Sequence, residues 1–416
     1  MIKRIQNVLV ENKVVLVNFS FLGILQLTNL IIFIILIPYL YRILGKENYG
    51  LVVFAQTVAL YFSIIVNYGF NVTATRDISV NRDNQIKRSE IISYVLAIKI
   101  LFFVISSILL SLLIFTLKMF KDHPALFYFS MLACLSEALF PVWYFQGIER
   151  MKYITVINII VRIASASFLF IFIKEQSDYF LVPLFLGSGT LLGALAGLYI
   201  VFVTHRNNFI LAPVSFLIGK ARENFPVFIS NISSQIYVNA NKIIIGALAG
   251  VREVAQYDIA ERLVSLAKVP FYVLGQALFP EISRKKNIRY INKITLIVSF
   301  LSIVIAALII IMAPLMVTLM TGYSDENIVT ALRVLILSVI PVTIGLFYTD
   351  LRLIPFEYYS DFAKTRVLSL IVYSLLVLLL LMTKLISIVF FAWTIVGVEV
   401  FVVMAAYYFC NKRRIC

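Results

Sequence analysis

Long apolar runs, broken by short polar connections, recur along the whole chain. Each run is close to the roughly 20 residues that an α-helix needs to cross the hydrocarbon core of a bilayer. Twelve segments are predicted, at residues 14–37, 49–69, 91–117, 124–146, 153–173, 180–204, 224–249, 254–280, 294–320, 328–349, 365–383 and 386–410. The pattern indicates an all-α polytopic membrane protein with about twelve transmembrane helices.

Composition supports the same class. The chain has 416 residues, of which 62% are hydrophobic and 14% charged, and its mean hydropathy is +0.98. Soluble domains carry roughly 25% charged residues. The connections are too short for a separate catalytic domain, and the sequence lacks a phosphate-binding glycine loop, a nucleophile elbow and a zinc-ligand spacing. We therefore expect a protein that is not an enzyme and that binds no cofactor or metal.

Basic residues are distributed unequally between the two sides that twelve helices create. Connections on the side of the N-terminus carry 23 Lys and Arg residues, and those on the opposite side carry 7. Cytoplasmic loops accumulate basic residues, so both termini and the turn at 149–152 are predicted to be cytoplasmic. The same distribution accounts for the net charge of +15 without nucleic acid as a partner.

A weak internal repeat divides the chain near residue 215. Asn18 and Asn231 lie near the starts of the first and seventh segments, and "RDIS" (76–79) and "PEIS" (280–283) lie at or beyond the ends of the second and eighth. Two lobes related by a repeat are common in transporters. We expect a six-helix lobe at 1–204, a cytoplasmic linker at 205–222 and a second six-helix lobe at 223–416.

Ten charged residues lie inside the apolar segments, leaving aside Arg366, which is at the very start of segment 365–383 and is counted with the preceding connection. Each costs roughly 2.5–3.5 kcal/mol at the bilayer centre, so these residues are expected to face a polar interior. The basic ones are Lys99, Arg162, Lys242, Arg262, Lys268 and Arg333, and the acidic ones are Glu137, Asp258, Glu261 and Glu399.

Helical geometry groups several of these charges with uncharged polar residues, because successive residues are rotated by about 100°. The resulting stripes consist of Asn231, Gln235, Asn239 and Lys242 on segment seven, of Asp258, Glu261, Arg262, Ser265 and Lys268 on segment eight, and of Gln56 and Asn67 on segment two. Together with segment one, these helices are expected to line a water-filled cavity at the centre of two six-helix bundles.

Two interpretations stay open for several intramembrane charges. Lys99 and Arg333 lie within a few turns of a segment end, so their side chains either extend to the membrane surface or face the cavity. Glu137 and Glu399 either carry a coupling proton or accept structural hydrogen bonds. The acids of segment eight either pair with nearby basic residues or carry the coupling ion.

The stretch "LFPVWYFQGIERMKYITVINIIVRI" (139–163) resembles the fourth and fifth spans of Wzx-type O-antigen flippases, members of the multidrug/oligosaccharidyl-lipid/polysaccharide exporter superfamily. Also similar to that family are "IPYLYRILGKENYGLVVFAQ" (37–56), "NYGFNVTATRDIS" (67–79), "NKIIIGALAGVREVAQYDIAERL" (241–263) and "ALFPEISR" (277–284). The resemblance covers nearly the whole chain in order, and it agrees with twelve spans.

The resemblance implies two six-helix bundles that form a V around a cationic cavity. It implies a flippase that moves undecaprenyl-pyrophosphate-linked repeat units of O-antigen, or a similar surface polysaccharide, to the outer leaflet of the bacterial inner membrane. The implied partners are membrane lipids, a polysaccharide polymerase, a chain-length regulator and a coupling ion, H⁺ or Na⁺. Relatives often carry Asp where this chain has Asn241 or Lys242, and this departure is expected to make the cavity more positive.

These expectations assign the anionic headgroup of the cargo to the basic residues Lys242, Lys268, Arg262 and Arg162, with Lys99 and Arg333 as further candidates. Attraction between opposite charges is stronger in the lower dielectric of such a cavity. A drug/cation antiporter of the same superfamily is the alternative within transport, and it would prefer an acidic cavity. A membrane polymerase or ligase acting on lipid-linked sugars is the alternative among enzymes, although such enzymes usually need a larger external loop.

Overall fold

A computed structural model of the chain describes residues 13–415, without the side chains of residues 13–20, 22, 230, 234, 237 and 280. This part of the chain is built from α-helices joined by short turns. The helices are α1 (Lys13–Asn67), α2 (Phe70–Val80), α3 (Gln85–Thr116), α4 (Lys118–Lys121), α5 (Pro124–Leu139), α6 (Val142–Gly147), α7 (Met151–Phe172), α8 (Leu181–Tyr199), α9 (Val214–Leu248), α10 (Val251–Lys285), α11 (Ile288–Thr321), α12 (Glu326–Leu335), α13 (Val339–Tyr348), α14 (Tyr359–Thr383) and α15 (Ile388–Lys412).

The predicted apolar segments all fall on these helices. Within the described residues, ten helical stretches are long and apolar enough to cross a membrane. One of them, Gly23–Val80, contains the second predicted segment and residues 23–37 of the first. The seventh segment falls on α9, whose apolar part is the shorter Val238–Leu248. The protein is a multi-pass membrane protein of the predicted all-α class, and the count of twelve agrees with the helices but stays a prediction.

Helix α1 consists of two helical arms that meet at Gly45. This residue has φ 72° and ψ 171°, while the helix continues on both sides of it. Glycine adopts a positive φ without the steric penalty that a Cβ brings. The hydropathy pattern predicts a connection of about ten residues between the first two segments. In the structure, the single residue Gly45 makes this turn.

The chain divides into two compact units. The first contains the residues up to Leu44 together with Ala55–Asn231, and the second contains Gly45–Phe54 together with Ile232–Cys416. The predicted linker at 205–222 thus belongs to the first unit, and the boundary falls inside α9. The division into lobes at 1–204 and 223–416 stays a prediction.

In the first unit, α8 packs closely against α5 and α7. A Cβ added at Gly193 of α8 would lie 2.9 Å from Cγ2 of Val161 on α7, and one added at Gly187 would lie 2.6 Å from Cβ of Leu132 on α5. Small residues let helix backbones approach in lipid, where van der Waals packing replaces the hydrophobic effect as the driving force. The glycine-rich α8 therefore holds its two neighbours together.

The aromatic stretch of α6 forms part of the core of the first unit. Trp143, Tyr144 and Phe145 are all at most 1% exposed and pack in one apolar cluster with residues of α2 and α3. A Cβ at Gly147 would lie 2.6 Å from Cγ2 of Ile78, so α6 and α2 are in close contact. The chain then turns at Glu149, whose φ is 58°. The charges that follow the aromatic run therefore begin where the core ends.

In the second unit, a buried amide connects four helices. Nδ2 of Asn241 on α9 donates to Oη of Tyr257 at 2.8 Å and to the carbonyl oxygen of Phe391 at 3.1 Å, and Oδ1 accepts from Oη of Tyr373 at 2.7 Å. Asn241 is 1% exposed, so these bonds satisfy a group that would be costly to leave unpaired. Asn241 therefore holds α9, α10, α14 and α15 together through a hydrogen-bond network.

We expect Gly50→Ala to destabilise the second unit. A Cβ at Gly50 would lie 1.8 Å from the carbonyl oxygen of Val251 at the start of α10, and this backbone atom cannot rotate away. Overpacking of this kind costs about 1–3 kcal/mol, so the melting temperature of the purified protein should fall by several degrees. Gly219→Ala on α9 is the matched control, because nothing lies within 4 Å of its added Cβ. Equal melting temperatures for the two variants would contradict the close contact.

Candidate functional site

Several of the predicted intramembrane charges meet in two groups, one in each unit. The Asp258 network, in the second unit, consists of Tyr49, Lys242, Asp258, Glu261 and Arg262. The Glu137 cluster, in the first unit, consists of Asn67, Asn71, Lys99 and Glu137.

In the Asp258 network, the carboxylate at its centre lies against two cations and one hydroxyl group. Nζ of Lys242 lies 2.8 Å from Oδ1 of Asp258 and 2.6 Å from Oε2 of Glu261. Nε of Arg262 lies 2.5 Å from Oδ2, and Oη of Tyr49 donates to the same oxygen at 2.7 Å. Asp258 is 0% exposed. Two cations and two anions neutralise each other here, so Lys242 is already paired with two carboxylates.

The helical hairpin of α9 and α10 explains why these residues meet. Gly250, with φ 117°, makes the turn between the two helices. Lys242 and Asp258 are each eight residues from that glycine. Residues equidistant from a tight turn lie at the same level of an antiparallel pair. Asp258, Glu261 and Arg262 follow at i, i+3 and i+4, on one face of α10.

A cavity of about 190 Å³ lies next to this network and within the second unit. Its charged lining residues are Glu261, Lys268 and Glu399, and the lining also includes Ser265 and Tyr272. Glu399 and Glu261 are both close enough to Lys268 to interact with it electrostatically. The cavity therefore contains one basic and two acidic groups, and Glu261 is shared with the Asp258 network.

The Glu137 cluster is the corresponding group in the first unit. Lys99 is 0% exposed, and its Nζ lies 3.4 Å from Oε1 of Glu137. The same oxygen accepts from Nδ2 of Asn67 at 2.5 Å and from Nδ2 of Asn71 at 3.5 Å. Lys99 therefore does not extend to the membrane surface, which was one of its two open interpretations. Its positive charge is neutralised inside the unit.

Glu137 also lines a cavity of about 260 Å³ between α5, α7 and α8. Asn158, Thr190 and Ser136 contribute further polar groups to the lining, among apolar residues such as Val161. A carboxylate that both pairs with a lysine and faces a void can accept a proton or a hydrogen bond from a solute.

The remaining predicted residues, apart from Ser265 in the lining of the second unit's cavity, lie outside these two groups and cavities. Arg162 on α7 and Arg333 on α12 are exposed, and neither lines one of the two cavities. Nε of Arg333 donates to the carbonyl oxygen of Ile310 at 3.4 Å. The uncharged polar residues are placed as follows: Gln56 and Asn231 are half-buried, Gln235 is exposed and accepts a 3.1 Å hydrogen bond from Nδ2 of Asn239, and Ser265 is exposed.

The structure adds residues that sequence reasoning missed. Tyr49 belongs to the first turns after the Gly45 break, far from α10 in sequence, and the sequence carries no signal that joins it to Asp258. Asn71, by contrast, lies four residues after Asn67, and a helical stripe continued across the turn at Gly69 includes both. Over residues 13–415, no group of three or more His, Cys, Asp or Glu side chains could hold a metal ion.

Comparison with known proteins identifies a family and a fold. A family model described as "Polysaccharide biosynthesis protein" matches residues 15–286. A protein of Escherichia coli (strain K12) named "Putative O-antigen transporter" is 28% identical over 411 residues, covering 96% of this chain and 98% of its own length. A protein of Shigella dysenteriae with the same name is 26% identical over 310 residues, covering 73% of this chain and 77% of its own length. These matches confirm the resemblance found in the sequence.

Solved structures share the fold at low sequence identity. A structure described as "Lipid II flippase MurJ, inward closed conformation" matches with a TM-score of 0.71 and 12% identity, covering 93% of this chain and 87% of that one. An inward-facing multidrug resistance MATE family transporter of the MOP superfamily matches with a TM-score of 0.62 and 14% identity, covering 91% and 96%. The chain therefore has the fold of these membrane transporters.

We expect Lys242→Met to destabilise the second unit, because it leaves two carboxylates facing each other. Breaking a buried ion pair by removing one partner costs roughly 3–5 kcal/mol. The double variant Lys242→Met/Glu261→Gln removes one charge of each sign and keeps the pair between Asp258 and Arg262, so it should regain most of the lost stability. Melting temperatures of the purified variants measure both effects. A double variant no more stable than Lys242→Met alone would show that the charges do not form one network.

Proposed function

Because this chain belongs to the polysaccharide biosynthesis protein family, we propose that it is a flippase for lipid-linked repeat units of a surface polysaccharide of the O-antigen kind. The family match carries the proposal, since it spans most of the first unit and the hairpin with the Asp258 network. The names of the curated relatives support it, and the transporter fold is consistent with it.

The proposed cargo is an oligosaccharide on undecaprenyl pyrophosphate. Its headgroup is polar and anionic, so it cannot cross roughly 30 Å of hydrocarbon unaided. The apolar tail can stay in the bilayer, while the protein supplies polar groups to the sugar and a cation to the diphosphate. Alternating access of the polar site to the two membrane faces would complete the transfer.

Lys268 is the cation that we assign to the diphosphate. Unlike Lys242, it lines the cavity, where hydroxyl groups of Ser265 and Tyr272 can hydrogen-bond sugars or phosphate oxygens. Its electrostatic partners are Glu399 and Glu261. An incoming phosphate would compete with these carboxylates for the lysine, and protonation of one carboxylate would make the lysine available.

This exchange suggests how a proton could be coupled to transport. A proton that enters and neutralises Glu399 would release Lys268 to bind the anionic headgroup, and loss of the proton would restore the original pair. In the first unit, Glu137 beside Lys99 offers a second group of the same kind. H⁺ fits this exchange, and Na⁺ is the alternative coupling ion. Arg162 and Arg333 stay proposed as additional contacts for anionic headgroups.

We further propose that the protein lies in the bacterial inner membrane with both termini in the cytoplasm. The 23 and 7 basic residues on the two sides support this orientation. Residues 1–12 and Cys416 lie outside the described residues. A polysaccharide polymerase and a chain-length regulator would act on the repeat units after they reach the outer leaflet.

A drug/cation antiporter is the second candidate, and one observation favours it. The cavity of the second unit contains two carboxylates against one lysine, and several transporters with this fold are multidrug MATE proteins. Proteoliposomes distinguish the two candidates. A flippase should transfer a fluorescently labelled lipid-linked oligosaccharide between leaflets and should not accumulate ethidium. An antiporter should accumulate ethidium and should not transfer the labelled lipid.

We expect Lys268→Met to abolish transport without unfolding the protein. In cells whose surface polysaccharide depends on this protein, display should fall at least about tenfold, because a hydrogen bond to a charged group contributes roughly 1.5–3 kcal/mol. Lys268→Arg keeps the charge and should retain part of the display. Lys293→Met, an exposed lysine of α11 in the same unit, is the matched control and should leave display unchanged. Normal display by Lys268→Met at equal membrane level would rule out the assigned role.

We expect Glu399→Gln to uncouple binding from the proton. The neutral amide cannot titrate, so in proteoliposomes the transfer rate of the labelled lipid should no longer respond to an imposed pH gradient. The unmodified protein should respond. Glu281→Gln, at a half-buried position near the end of α10 that does not line the cavity, is the control carboxylate. A Glu399→Gln variant that keeps the full pH-gradient response would assign coupling elsewhere.

A further inference from the structure

A third cavity, of about 330 Å³, lies at one end of the first unit. Three connections line it: the turn between α2 and α3, the turn between α6 and α7, and the segment after α8. Its lining residues are Arg82, Asp83, Arg88, Tyr144, Ile148, Arg150 and His205. It shares no lining residue with the other two cavities, and we call it the Arg88–Arg150 pocket.

The pocket has more positive than negative charge. Nε of Arg82 lies 3.9 Å from Oδ2 of Asp83, and Nη1 lies 3.5 Å from Oε2 of Glu149. These two carboxylates offset the charge of Arg82. Among residues 13–415, neither Arg88 nor Arg150 forms an ion pair with a carboxylate. The polar contacts of the Arg88 side chain go to neutral acceptors, the carbonyl oxygen of Arg82 and Oδ1 of Asn207. Two guanidinium groups therefore keep their charge available at one cavity.

A histidine in the same cavity has a ring nitrogen without a partner. Tyr144 Oη accepts from Nδ2 of Asn207 at 3.1 Å and lies 3.0 Å from Nδ1 of His205. The tyrosine can therefore give its own hydrogen to Nδ1, which places the proton of the neutral ring on Nε2. Nε2 is buried and has no hydrogen-bond partner within the described part of the chain. A buried, unsatisfied donor beside two cations calls for an acceptor.

We propose that the Arg88–Arg150 pocket binds a phosphate-type oxyanion, held by the guanidinium groups of Arg88 and Arg150 and by Nε2–H of His205. Guanidinium groups match the geometry of phosphate oxygens and form strong charge-assisted hydrogen bonds with them. The volume of about 330 Å³ exceeds the share of one water, about 30 Å³, about tenfold, so a phosphate group fits with several waters. The site goes beyond the proposed transport path, because none of its residues belongs to the two buried charge groups.

Two sources could supply this group, the headgroup of an anionic membrane lipid and a soluble phosphate or phosphate ester. In the proposed orientation all three connections are cytoplasmic, so both sources are within reach. Both sources carry a phosphate oxyanion, and experiments in micelles and in nanodiscs separate them.

The chain has two histidines, His123 and His205. In NMR spectra of protein labelled with ¹³C at histidine Cε1, the His205 signal reports on the pocket and the His123 signal is an internal control. In alkyl maltoside micelles, which carry no phosphate, sodium phosphate should shift the His205 signal saturably, and sodium chloride of equal ionic strength should not. The His123 signal should stay in place, and a His123→Gln variant assigns the two. A His205 signal that does not respond to phosphate in micelles or to anionic lipid in nanodiscs would overturn the site.

Matched variants test the donors. Arg150→Gln removes a lining guanidinium from an exposed residue, and Lys152→Gln removes an equal charge from an exposed residue two positions away that does not line the cavity. Arg150→Gln should weaken the apparent phosphate affinity at least about tenfold, and Lys152→Gln should change it less than about twofold. Equal weakening by both variants would mean general electrostatic attraction rather than a built site, and would refute the proposal.

Nanodiscs separate the two sources. Discs that contain phosphatidylglycerol should shift the His205 signal, relative to phosphatidylcholine discs, if a lipid headgroup fills the pocket. If only free phosphate shifts it, the source is soluble. Either result supports an oxyanion site and names its ligand.

The pH dependence provides a second readout. Burial, and then the charges of Arg150 and Arg88, lower the pKa of His205. Other groups that face the ring are Tyr144 and Tyr153, and Arg82 and Asp83 line the same cavity. A bound oxyanion offsets the arginine charges, so it should raise the pKa of His205, and binding should therefore strengthen as the pH falls. Sulfate is the probe here, since its charge is constant where histidine titrates. Sulfate affinity that is independent of pH would remove His205 from the site.

Discussion

The buried carboxylate of Asp258 is the constraint on which the second unit depends. An isolated ionised carboxylate is very costly in an apolar interior, and this one lies against an ammonium and accepts hydrogen bonds from a guanidinium and a phenol. The donors come from three separate stretches of the chain: α9, α10 and the segment Gly45–Phe54. Satisfying one oxygen pair therefore requires the hairpin, its tight glycine turn and the arm after Gly45 to be in place together. The close approach of Gly50 to Val251 is part of the same arrangement.

The two lysines of this hairpin region differ in what surrounds them. Lys242 lies between two carboxylates and holds helices together, whereas Lys268 lines a cavity with hydroxyl groups and carboxylates within reach. Both are intramembrane cations in a predicted polar stripe, yet one is enclosed by two carboxylates and the other lines a cavity. The same contrast separates the fully buried Lys99 from the exposed Arg162.

Hydropathy and helical periodicity were enough to predict the class of the protein and the location of its helices, and the i, i+3, i+4 spacing placed Asp258, Glu261 and Arg262 on one face of α10. The pairing of Lys242 with Asp258 could also have been derived, since both residues are eight positions from Gly250. The contact of Tyr49 with Asp258 could not, because it depends on how a distant arm packs against the hairpin. The burial of Lys99 against Glu137 likewise depends on the rotation of α3 and α5 about their axes, which periodicity does not determine. The turn at Gly45 is one residue long because glycine alone can adopt its backbone angles, and a hydropathy window averages over such a point.

Neutrality of the Asp258 network has an electrical consequence. Moving one elementary charge across a membrane potential of 100 mV involves about 2.3 kcal/mol, but a group with two positive and two negative charges contributes no net term when it moves as a whole. The pair of Lys99 and Glu137 is neutral in the same way. Voltage therefore does little work on these parts of the protein during a conformational change. In a transport cycle, the electrical work would fall on the charge of the cargo and on any ion that travels with it.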